Sequence, residues 1–373
     1  MKMSSIISTK DLAVGYNRKI LIQGINIRLE PGCVLTLIGP NGAGKSTILK
    51  TITRQLAAVS GSVFIGDQPV TAITAKDFAR KSAVVLTERI HPELMSCWEV
   101  TAMGRYPYTD MFGKLTDHDK EVVNRSLEQV HALSLADQDF TTLSDGQRQR
   151  IMLARAICQE PEIIVLDEPT AYLDIRYKVE LLNILRQMAT EQKTTIIMSL
   201  HEIDLAMKIS DDLLCLDGER ITAYGPPDSI LTADRIGELF GIRSGSYNLL
   251  SGSVEFPAPA GDPEVFIVAG NGKGTPFYRS LQKQGTPFAT GILFENDVDF
   301  QTARVLSDLV IKAPAFGSIT PELIDKARQI IRGCAYVLDA GTEIGPQNRA
   351  NAGLLSYAAE IGIPVCKDIR KDR

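Results

Sequence analysis

The chain has 373 residues, of which 44% are hydrophobic and 23% charged, and its formal net charge is −5. This length predicts two domains, and the acidic balance argues against nucleic acid as a partner. No apolar run approaches the ~20 residues that span a bilayer, and the polar N-terminus predicts no signal peptide. Six dispersed cysteines without a C-x-x-C pair argue against disulfides and zinc sites.

The first stretch of the chain predicts an antiparallel sheet, because residues 5–30 alternate apolar and polar positions. Tyr16 lies in a turn of this sheet. A turn tyrosine is usually a surface residue, but its place ahead of a glycine loop makes stacking on a purine an alternative. The apolar run at residues 33–38 then predicts a buried parallel strand.

A glycine loop follows that strand and matches the phosphate-loop pattern G-x-x-x-x-G-K-[ST]. Its residues are Gly39, Pro40, Asn41, Gly42, Ala43, Gly44, Lys45, Ser46 and Thr47. Backbone N–H groups turned inward by glycines, together with the N-terminus of a helix at residues 46–56, suit a triphosphate. Lys45 would supply charge to the outer phosphates, and the Ser46 hydroxyl would ligate Mg²⁺. A chance glycine-rich turn is the alternative.

The next part of the chain changes from strands to helices. Residues 91–143 are predicted to form a helical insertion between strands of the core, with one helix at 117–131. The segment L-S-D-G-Q follows at residues 143–147. A further helix begins there, with Thr142 or Ser144 as its capping residue.

Two later apolar strands end in chemically active residues. Residues 163–166 lead into Asp167 and Glu168, and residues 194–198 lead towards His201. A carboxylate after a buried strand is where Mg²⁺ is held beside a phosphate loop, whereas a solvated strand end is the alternative. His201 could reach a γ-phosphate, although a lone histidine is more often an ordinary residue.

Together these motifs resemble the ATP-binding subunit of ABC transporters over about residues 5–243. The resemblance implies an α/β fold, with an ABC-type P-loop ATPase core, an antiparallel N-terminal sheet and a helical subdomain at about residues 91–143. It implies ATP and Mg²⁺ as cofactors and a homodimer of ATPase subunits. A separate membrane permease and a substrate-binding protein would complete the system, which places the chain peripherally at the cytoplasmic face of the membrane.

The resemblance also assigns roles to single residues at the nucleotide. Tyr16 matches the aromatic residue that stacks on adenine, and residues 39–47 match the Walker A loop. Asp167 matches the magnesium carboxylate of the Walker B motif, and Glu168 matches the catalytic base. His201 matches the switch histidine that contacts the γ-phosphate.

Other matches concern the opposite subunit. Ser144, Gly146 and Gln147 belong to the signature motif, which in the family binds the ATP held by the other subunit. Asp174 closes the loop at residues 171–174 that communicates across the dimer.

Two positions depart from the family pattern. Glu88 stands where the family has the Q-loop glutamine, and Asp145 stands where glycine is commonest in the signature motif. As an acid, Glu88 can still supply an oxygen to Mg²⁺ or orient water, but it adds negative charge near the triphosphate.

Two stretches narrow the choice among subfamilies of ABC ATPases. The segment G-R-Y-P at residues 104–107, like residues 168–175, is similar to subunits that energise uptake of iron-siderophores, haem and vitamin B12. The alternatives are a soluble ABC ATPase of DNA repair or translation, an exporter subunit, and a bifunctional enzyme. The first usually carries a coiled-coil insertion or a second cassette, and neither is present. No acid/base pair stands out to support the bifunctional enzyme.

A second domain is predicted at residues 264–373, separated from residues 1–243 by a proline-rich linker at 244–263. Strands alternating with helices predict a small, Rossmann-like parallel α/β domain. The expected strands are 265–269, 289–294, 335–338 and 364–366, and the expected helices are 276–284, 300–309, 321–332 and 350–360.

The second domain has its own glycine loop at residues 270–276, with the pattern G-x-G-x-G and Thr275 as the expected helix cap. It is either a purely structural turn or a site for a small anionic ligand at the helix N-terminus, beside Lys273. A second polar loop at residues 345–351 could face the same crevice.

Overall fold

The structure, a computed structural model, describes residues 6–86, 94–218, 220–242, 244–249 and 252–369. The chain divides into two compact units, residues 1–231 and 232–373. Within the described residues, no helix is long and apolar enough to cross a membrane.

The first unit contains two sheets and the helices that cover them. Its described strands are β1 (Ile7–Tyr16), β2 (Lys19–Ile25), β3 (Arg28–Leu29), β4 (Val34–Ile38), β5 (Ser60–Ile65), β6 (Gln68–Pro69), β7 (Ser82–Val85), β8 (Ile163–Leu166), β9 (Thr195–Ser199), β10 (Asp212–Leu216) and β11 (Ile221–Gly225). Its described helices are α1 (Lys45–Ile52), α2 (Ala75–Lys81), α3 (Cys97–Ala102), α4 (Asp117–Gln129), α5 (Asp145–Cys158), α6 (Ile175–Glu191), α7 (Ile203–Ile209) and α8 (Pro227–Ile230).

The smaller sheet is antiparallel, as the alternating pattern of the N-terminal residues predicts. Its strand order is β2-β1-β5-β6, and β3 pairs with β1. One face of this sheet packs into the same apolar core as β4 and α1. The predicted antiparallel N-terminal sheet is therefore confirmed, and it lies directly against the strand and helix that flank the glycine loop.

The larger sheet has the order β11-β10-β4-β9-β8-β7, and every pair is parallel except β10 with β11. β4, β8 and β9 are buried along their whole length. This explains why they are continuous apolar runs in the sequence. Because parallel strands end at the same edge of a sheet, the segments that follow β4, β9 and β8 lie side by side.

The described part of the helical insertion, residues 94–143, contains α3, α4 and short 3₁₀ turns. Both helices begin with a capping box, formed by Ser96 with Glu99 and by Thr116 with Asp119. α3 and α4 pack on each other and on α5. The predicted helical subdomain is confirmed, and α5 joins it to β7 of the larger sheet.

The G-R-Y-P stretch at residues 104–107 lies at this junction. Gly104 is in close contact with α5, because a Cβ atom there would lie 2.2 Å from the Arg155 carbonyl oxygen. The Arg105 guanidinium is only 3% exposed, and it donates to Asp119 Oδ1 at 2.8 Å and to Glu160 Oε2 at 2.9 Å. These contacts give the stretch a structural role in joining α4 to the end of α5.

The ionisation of Asp119 reports how strongly this buried pair is held. Burial alone would raise the pKa of Asp119, but hydrogen bonds from Thr116 and Arg105 outweigh it and hold the pKa at about 2, against an ordinary 3.8. Because the pKa of Asp119 is lower in the folded than in the unfolded protein, the ionised carboxylate stabilises the fold. This stabilisation is fully present above pH 4 and is lost as the pH falls towards 2.

The second unit begins at α9 and is built around a parallel sheet. Its described strands are β12 (Ser246–Asn248), β13 (Ser253–Glu255), β14 (Val265–Val268), β15 (Phe288–Phe294), β16 (Leu309–Ala313), β17 (Tyr336–Asp339) and β18 (Val365–Cys366). Its described helices are α9 (Ala233–Phe240), α10 (Thr275–Gln284), α11 (Val298–Leu306), α12 (Pro321–Ile331) and α13 (Arg349–Glu360).

The sheet order β16-β15-β14-β17-β18 is that of a doubly wound fold, and all four strand pairs are parallel. Alternate residues of β14 enter two separate cores, with Phe266 and Val268 on one face and Val265 and Ile267 on the other. Helices α12 and α13 cover the first face, and α10 and α11 cover the second. The predicted Rossmann-like domain is confirmed.

Two features of the second unit differ from the sequence-based expectation. The helix expected at residues 300–309 ends at Leu306, because the β-branched residues that follow form β16 at an edge of the sheet. The expected linker at 244–263 contains the hairpin of β12 and β13, which packs on α9 and α11. Buried Glu255 of this hairpin pairs with Arg279 of α10, so the segment belongs to the second unit.

We predict that Arg105→Met lowers the free energy of unfolding of the first unit by about 3–5 kcal/mol, because two carboxylates lose their buried partner. Arg125→Met is the matched control, since Arg125 is 65% exposed and bonds the other oxygen of the same Glu160. That change should cost at most about 1 kcal/mol. Urea denaturation of both variants measures the difference, and equal losses would contradict a special role for Arg105.

Candidate functional site

The first glycine loop connects β4 to α1 with a backbone that needs glycine at two points. Gly39 has a φ of 151°, and a Cβ atom there would lie 2.1 Å from the Leu216 carbonyl oxygen. Gly44 caps α1 with a φ of 88°, and its Cβ would lie 2.6 Å from Cδ1 of Ile22. The loop is therefore held between β10 and β2, with the N-terminus of α1 facing it.

The Lys45 side chain lies within this loop. Its ammonium donates to the carbonyl oxygens of Gly39 at 2.8 Å and Pro40 at 3.0 Å, and the residue is only 5% exposed. Burial lowers the pKa of Lys45, while the nearby carboxylates of Glu168 and Asp167 act in the opposite direction. Both acids that follow β8 therefore act electrostatically on the lysine charge.

Asp167 and Glu168 are both bonded to one hydroxyl of the neighbouring strand. Ser199 at the end of β9 donates to Asp167 Oδ1 at 2.7 Å and accepts the Glu168 N–H at 2.8 Å. Glu168 has a φ of 48°, which is uncommon for a residue with a side chain. The hydroxyl thus fixes the Asp167 carboxylate and the backbone of Glu168 at the sheet edge.

His201 follows β9 and contacts the second of these acids. Its Nε2 lies 2.7 Å from Glu168 Oε1, and both side chains are about one-third exposed. A carboxylate and an imidazole in this arrangement can accept a proton from water and hold a developing negative charge. The structure brings together these two predicted residues, which are 33 positions apart in the chain.

Sequence reasoning passed over Ser199, which is completely buried. A hydroxyl at the end of an otherwise apolar strand that leads to His201 is the available signal, since a buried polar group needs a partner. Sequence reasoning also passed over Glu202, which accepts from Thr170 Oγ1 at 3.0 Å and from Lys178. Burial acts to raise the pKa of Glu202, but these hydrogen bonds lower it overall.

Tyr16 lies at the end of β1 beside the glycine loop. Its hydroxyl oxygen is 3.3 Å from Thr47 Oγ1, and the residue is 52% exposed. An exposed ring fixed next to α1 offers a face on which a planar base can stack.

The segment L-S-D-G-Q begins α5, and Ser144 is its cap. The Ser144 hydroxyl accepts the Gln147 N–H at 3.3 Å, and Gln147 Oε1 accepts the Ser144 N–H at 3.0 Å. α5 packs on β7, which is three strands away from β4 in the sheet, or about 14 Å. The helix that this segment begins therefore packs on the edge strand of the sheet, three strands from the one that leads into the glycine loop.

Asp174 and Gly146 share a neighbour. The Asp174 carboxylate caps α6 by accepting the Tyr177 N–H at 3.1 Å. A Cβ atom on Gly146 would lie 3.1 Å from the Tyr177 ring. The start of α5 and the 171–174 loop are consequently parts of one continuous surface.

The donor set beside the loop fits a magnesium ion. The carboxylate of Asp167 is buried and oriented by Ser199, and the hydroxyl of Ser46 lies in the first turn of α1. Carboxylate and hydroxyl oxygens are the ligands that Mg²⁺ takes in proteins. The third predicted ligand, Glu88, lies outside the described residues.

The glycine loop of the second unit differs from the expectation of an anion site. The N–H groups of Gly274 and Thr275 donate to the two oxygens of Asp299, at 2.8 and 2.9 Å. Thr275 is the first residue of α10 and not its cap, and its hydroxyl also donates to Asp299. An internal carboxylate thus occupies the position expected for a small anionic ligand, which favours the other alternative, a structural turn, at this helix end.

Two family models match the chain. The model described as "ABC transporter" matches residues 22–171. The model described as "MJ0874 family" matches residues 288–369, within the second unit.

Relatives and solved structures extend the likeness. The iron(3+)-hydroxamate import ATP-binding protein FhuC of Bacillus subtilis is 34% identical over 63% of this chain and 88% of that protein. The cobalamin import ATP-binding protein BtuD of Halobacterium salinarum is 32% identical over 76% of this chain and 73% of that protein. An ABC transporter assigned to the metal-chelate type, in an inward-facing conformation, matches with a TM-score of 0.57 and 28% identity, covering 64% of this chain and 89% of that chain.

We predict that Ser199→Ala lowers the rate of ATP hydrolysis about 10- to 100-fold, the usual cost of losing a group that orients a metal-binding carboxylate. Thr195→Val is the matched control, because Thr195 is an equally buried hydroxyl at the opposite end of β9. Steady-state hydrolysis should fall only in the Ser199 variant. Similar losses in both would indicate a general effect on the strand.

Proposed function

This chain belongs to the ABC transporter ATP-binding proteins, and we propose that it energises import of a metal chelate through a separate membrane permease. Iron complexes, haem and cobalamin-type compounds are the proposed substrates. The names of the FhuC and BtuD relatives support this class.

One observation carries the catalytic part of the proposal. The Glu168 carboxylate lies 2.7 Å from the His201 imidazole and beside the buried Lys45, at the edge where β4, β8 and β9 end. In this role, Glu168 orients or deprotonates the attacking water, and His201 holds the γ-phosphate. Lys45 contacts the outer phosphates, and Tyr16 stacks on the adenine.

Ser46 and Asp167 would hold Mg²⁺, which neutralises charge that develops on the phosphates during hydrolysis. Asp167 is suited to this role because it is buried and fixed by Ser199. The position of Glu88 in the chain makes it a further candidate for this ion.

We propose that two copies form the active unit, with Ser144, Gly146 and Gln147 of one copy contacting the ATP on the other. Two features support a second copy. α5 packs on β7, a strand about 14 Å across the sheet from β4, which leads into the phosphate loop of its own chain. Around Asp174, the side chains of Tyr172 and Ile175 are 78% and 79% exposed, as apolar contact residues would be in a separated subunit.

The remaining partners follow from the proposed transport role. A permease, with a substrate-binding protein in the same system, would complete the importer, and the chain would lie at the cytoplasmic face of the membrane. Closing and opening of the ATPase dimer would move the permease.

We predict that Glu168→Gln abolishes ATP turnover and retains ATP binding, because the amide keeps the shape of the side chain and cannot accept the proton of water. The trapped ATP should hold two copies together, which size-exclusion chromatography with ATP detects. Glu128→Gln, an exposed change on α4, is the control and should hydrolyse ATP normally. Unchanged hydrolysis in the Glu168 variant would falsify the assigned role.

We predict that deleting the gene in its source organism abolishes uptake of radiolabelled cobalamin or of a ferric siderophore. The wild-type gene should restore uptake, and the Glu168→Gln gene should not. Increased accumulation of label in the deletion strain would indicate an exporter subunit instead. Unaltered uptake of every metal chelate tested would favour a soluble ATPase.

A further inference from the structure

The second unit has a cavity of about 260 Å³ at the carboxyl edge of its sheet. Four loops contribute to it: those after β14, β15 and β16, and the polar loop that precedes α13. The lining residues are Asn271, Phe294, Asn296, Asp297, Val298, Phe316 and Gln347. Open parallel sheets bind ligands in this position, and Gln347 confirms that the 345–351 loop faces the same crevice.

The charges around this cavity select against anions. Asp299 is completely buried, and its carboxylate takes the N–H groups at the start of α10 that would otherwise bind a phosphate. Among the described residues that line the cavity, one is acidic, Asp297, and none is a lysine or arginine. A phosphate group here would meet the Asp297 carboxylate and, among the described lining residues, no lysine or arginine, which is unfavourable.

The rim of the cavity carries an apolar side chain in an unusual backbone conformation. Phe316 has a φ of 56°, which is a true outlier for a bulky residue, and it is 87% exposed. Such outliers concentrate at ligand sites. Together with Phe294, this ring gives the cavity an aromatic lining in addition to its amide groups.

The polar groups can pair with both donors and acceptors of a ligand. The carboxylate of Asp297 accepts from the N–H groups of Asn271 and Asp299, which leaves acceptor capacity for a hydroxyl group. The side-chain amides of Asn296 and Gln347 can each donate and accept.

We propose that this cavity binds a nucleoside that carries no phosphate. A planar base would stack on Phe316, ribose hydroxyls would donate to Asp297, and the amides would contact the edge of the base. Asp299 takes the place that a nucleotide phosphate would occupy at the glycine loop. The site therefore distinguishes a nucleoside from the corresponding nucleotide.

The first test is equilibrium dialysis of the full-length protein with radiolabelled adenosine, guanosine, cytidine and uridine. Millimolar ATP is present throughout, so that the ATP site of the first unit is filled. We expect one of the four to bind once per chain, at least about tenfold more tightly than its monophosphate, a difference of about 1.4 kcal/mol. The proposal is overturned if none binds, if raising the ATP concentration tenfold displaces the nucleoside, or if the monophosphate binds equally well.

The second test separates ligand binding from a structural role of Phe316. Phe316→Gly should weaken nucleoside binding by about tenfold or more, the scale of base stacking on an aromatic ring. It should leave the melting temperature unchanged or raised, because glycine adopts this φ without strain. Phe112→Gly is the control, since Phe112 is equally exposed in the first unit, and full binding by the Phe316 variant would overturn the proposal.

The third test concerns discrimination against phosphate. Asp297→Asn retains a good cap for α11, since asparagine and aspartate serve equally well at that position. Removing the negative charge should shift the affinity ratio towards the nucleoside monophosphate. An unchanged ratio in a protein with an unchanged melting temperature would contradict the assigned role of Asp297.

Discussion

The hydrogen bond from the Ser199 hydroxyl to the Asp167 carboxylate joins two neighbouring strands at the edge where we propose that ATP is hydrolysed. The same oxygen accepts the Glu168 N–H, so one buried group holds both the Asp167 carboxylate and the backbone of Glu168. His201 contacts Glu168 because β9 ends beside β8, and β4, on the other side of β9, brings the Lys45 charge to the same edge of the sheet. Strand order therefore brings the residues of the site together, and the Ser199 hydroxyl orients the groups that follow β8.

The parts of this site that the sequence predicts are those with a strong local pattern. The loop around Lys45 and the acids after β8 each follow a continuous apolar strand, and such strands have few alternative structures. Ser199 lacks a local pattern, because a lone serine at a strand end has the same appearance with or without a partner. The hydrogen bonds of Asp299 are still harder to predict from sequence, since its partners Gly274 and Thr275 lie 25 and 24 positions away in the chain.

The two glycine loops of this chain share a strand–loop–helix pattern but differ in the charged side chains that contact them. At Lys45 the first loop contains a cation that faces two acids across the sheet edge. At Gly274 and Thr275 the second loop has its N–H groups satisfied by a carboxylate of the same chain. Both are strand–loop–helix turns, but we propose that the first loop binds phosphate, whereas a carboxylate already takes the helix N–H groups of the second. From the fold alone, one would expect the same ligand at both glycine loops.

The position of Lys45 has a consequence for the energetics of nucleotide affinity. Its ammonium is already removed from water and ordered by two carbonyl groups of its own loop. Phosphate oxygens would replace these neutral carbonyl acceptors with charged ones. Binding would then need no further free energy to desolvate or immobilise the lysine side chain. Burying this charge instead lowers the free energy of unfolding of the first unit in the absence of nucleotide. Nucleotide affinity and thermal resistance of this unit are therefore linked, so that ATP should protect it against heat more than its contact area alone suggests.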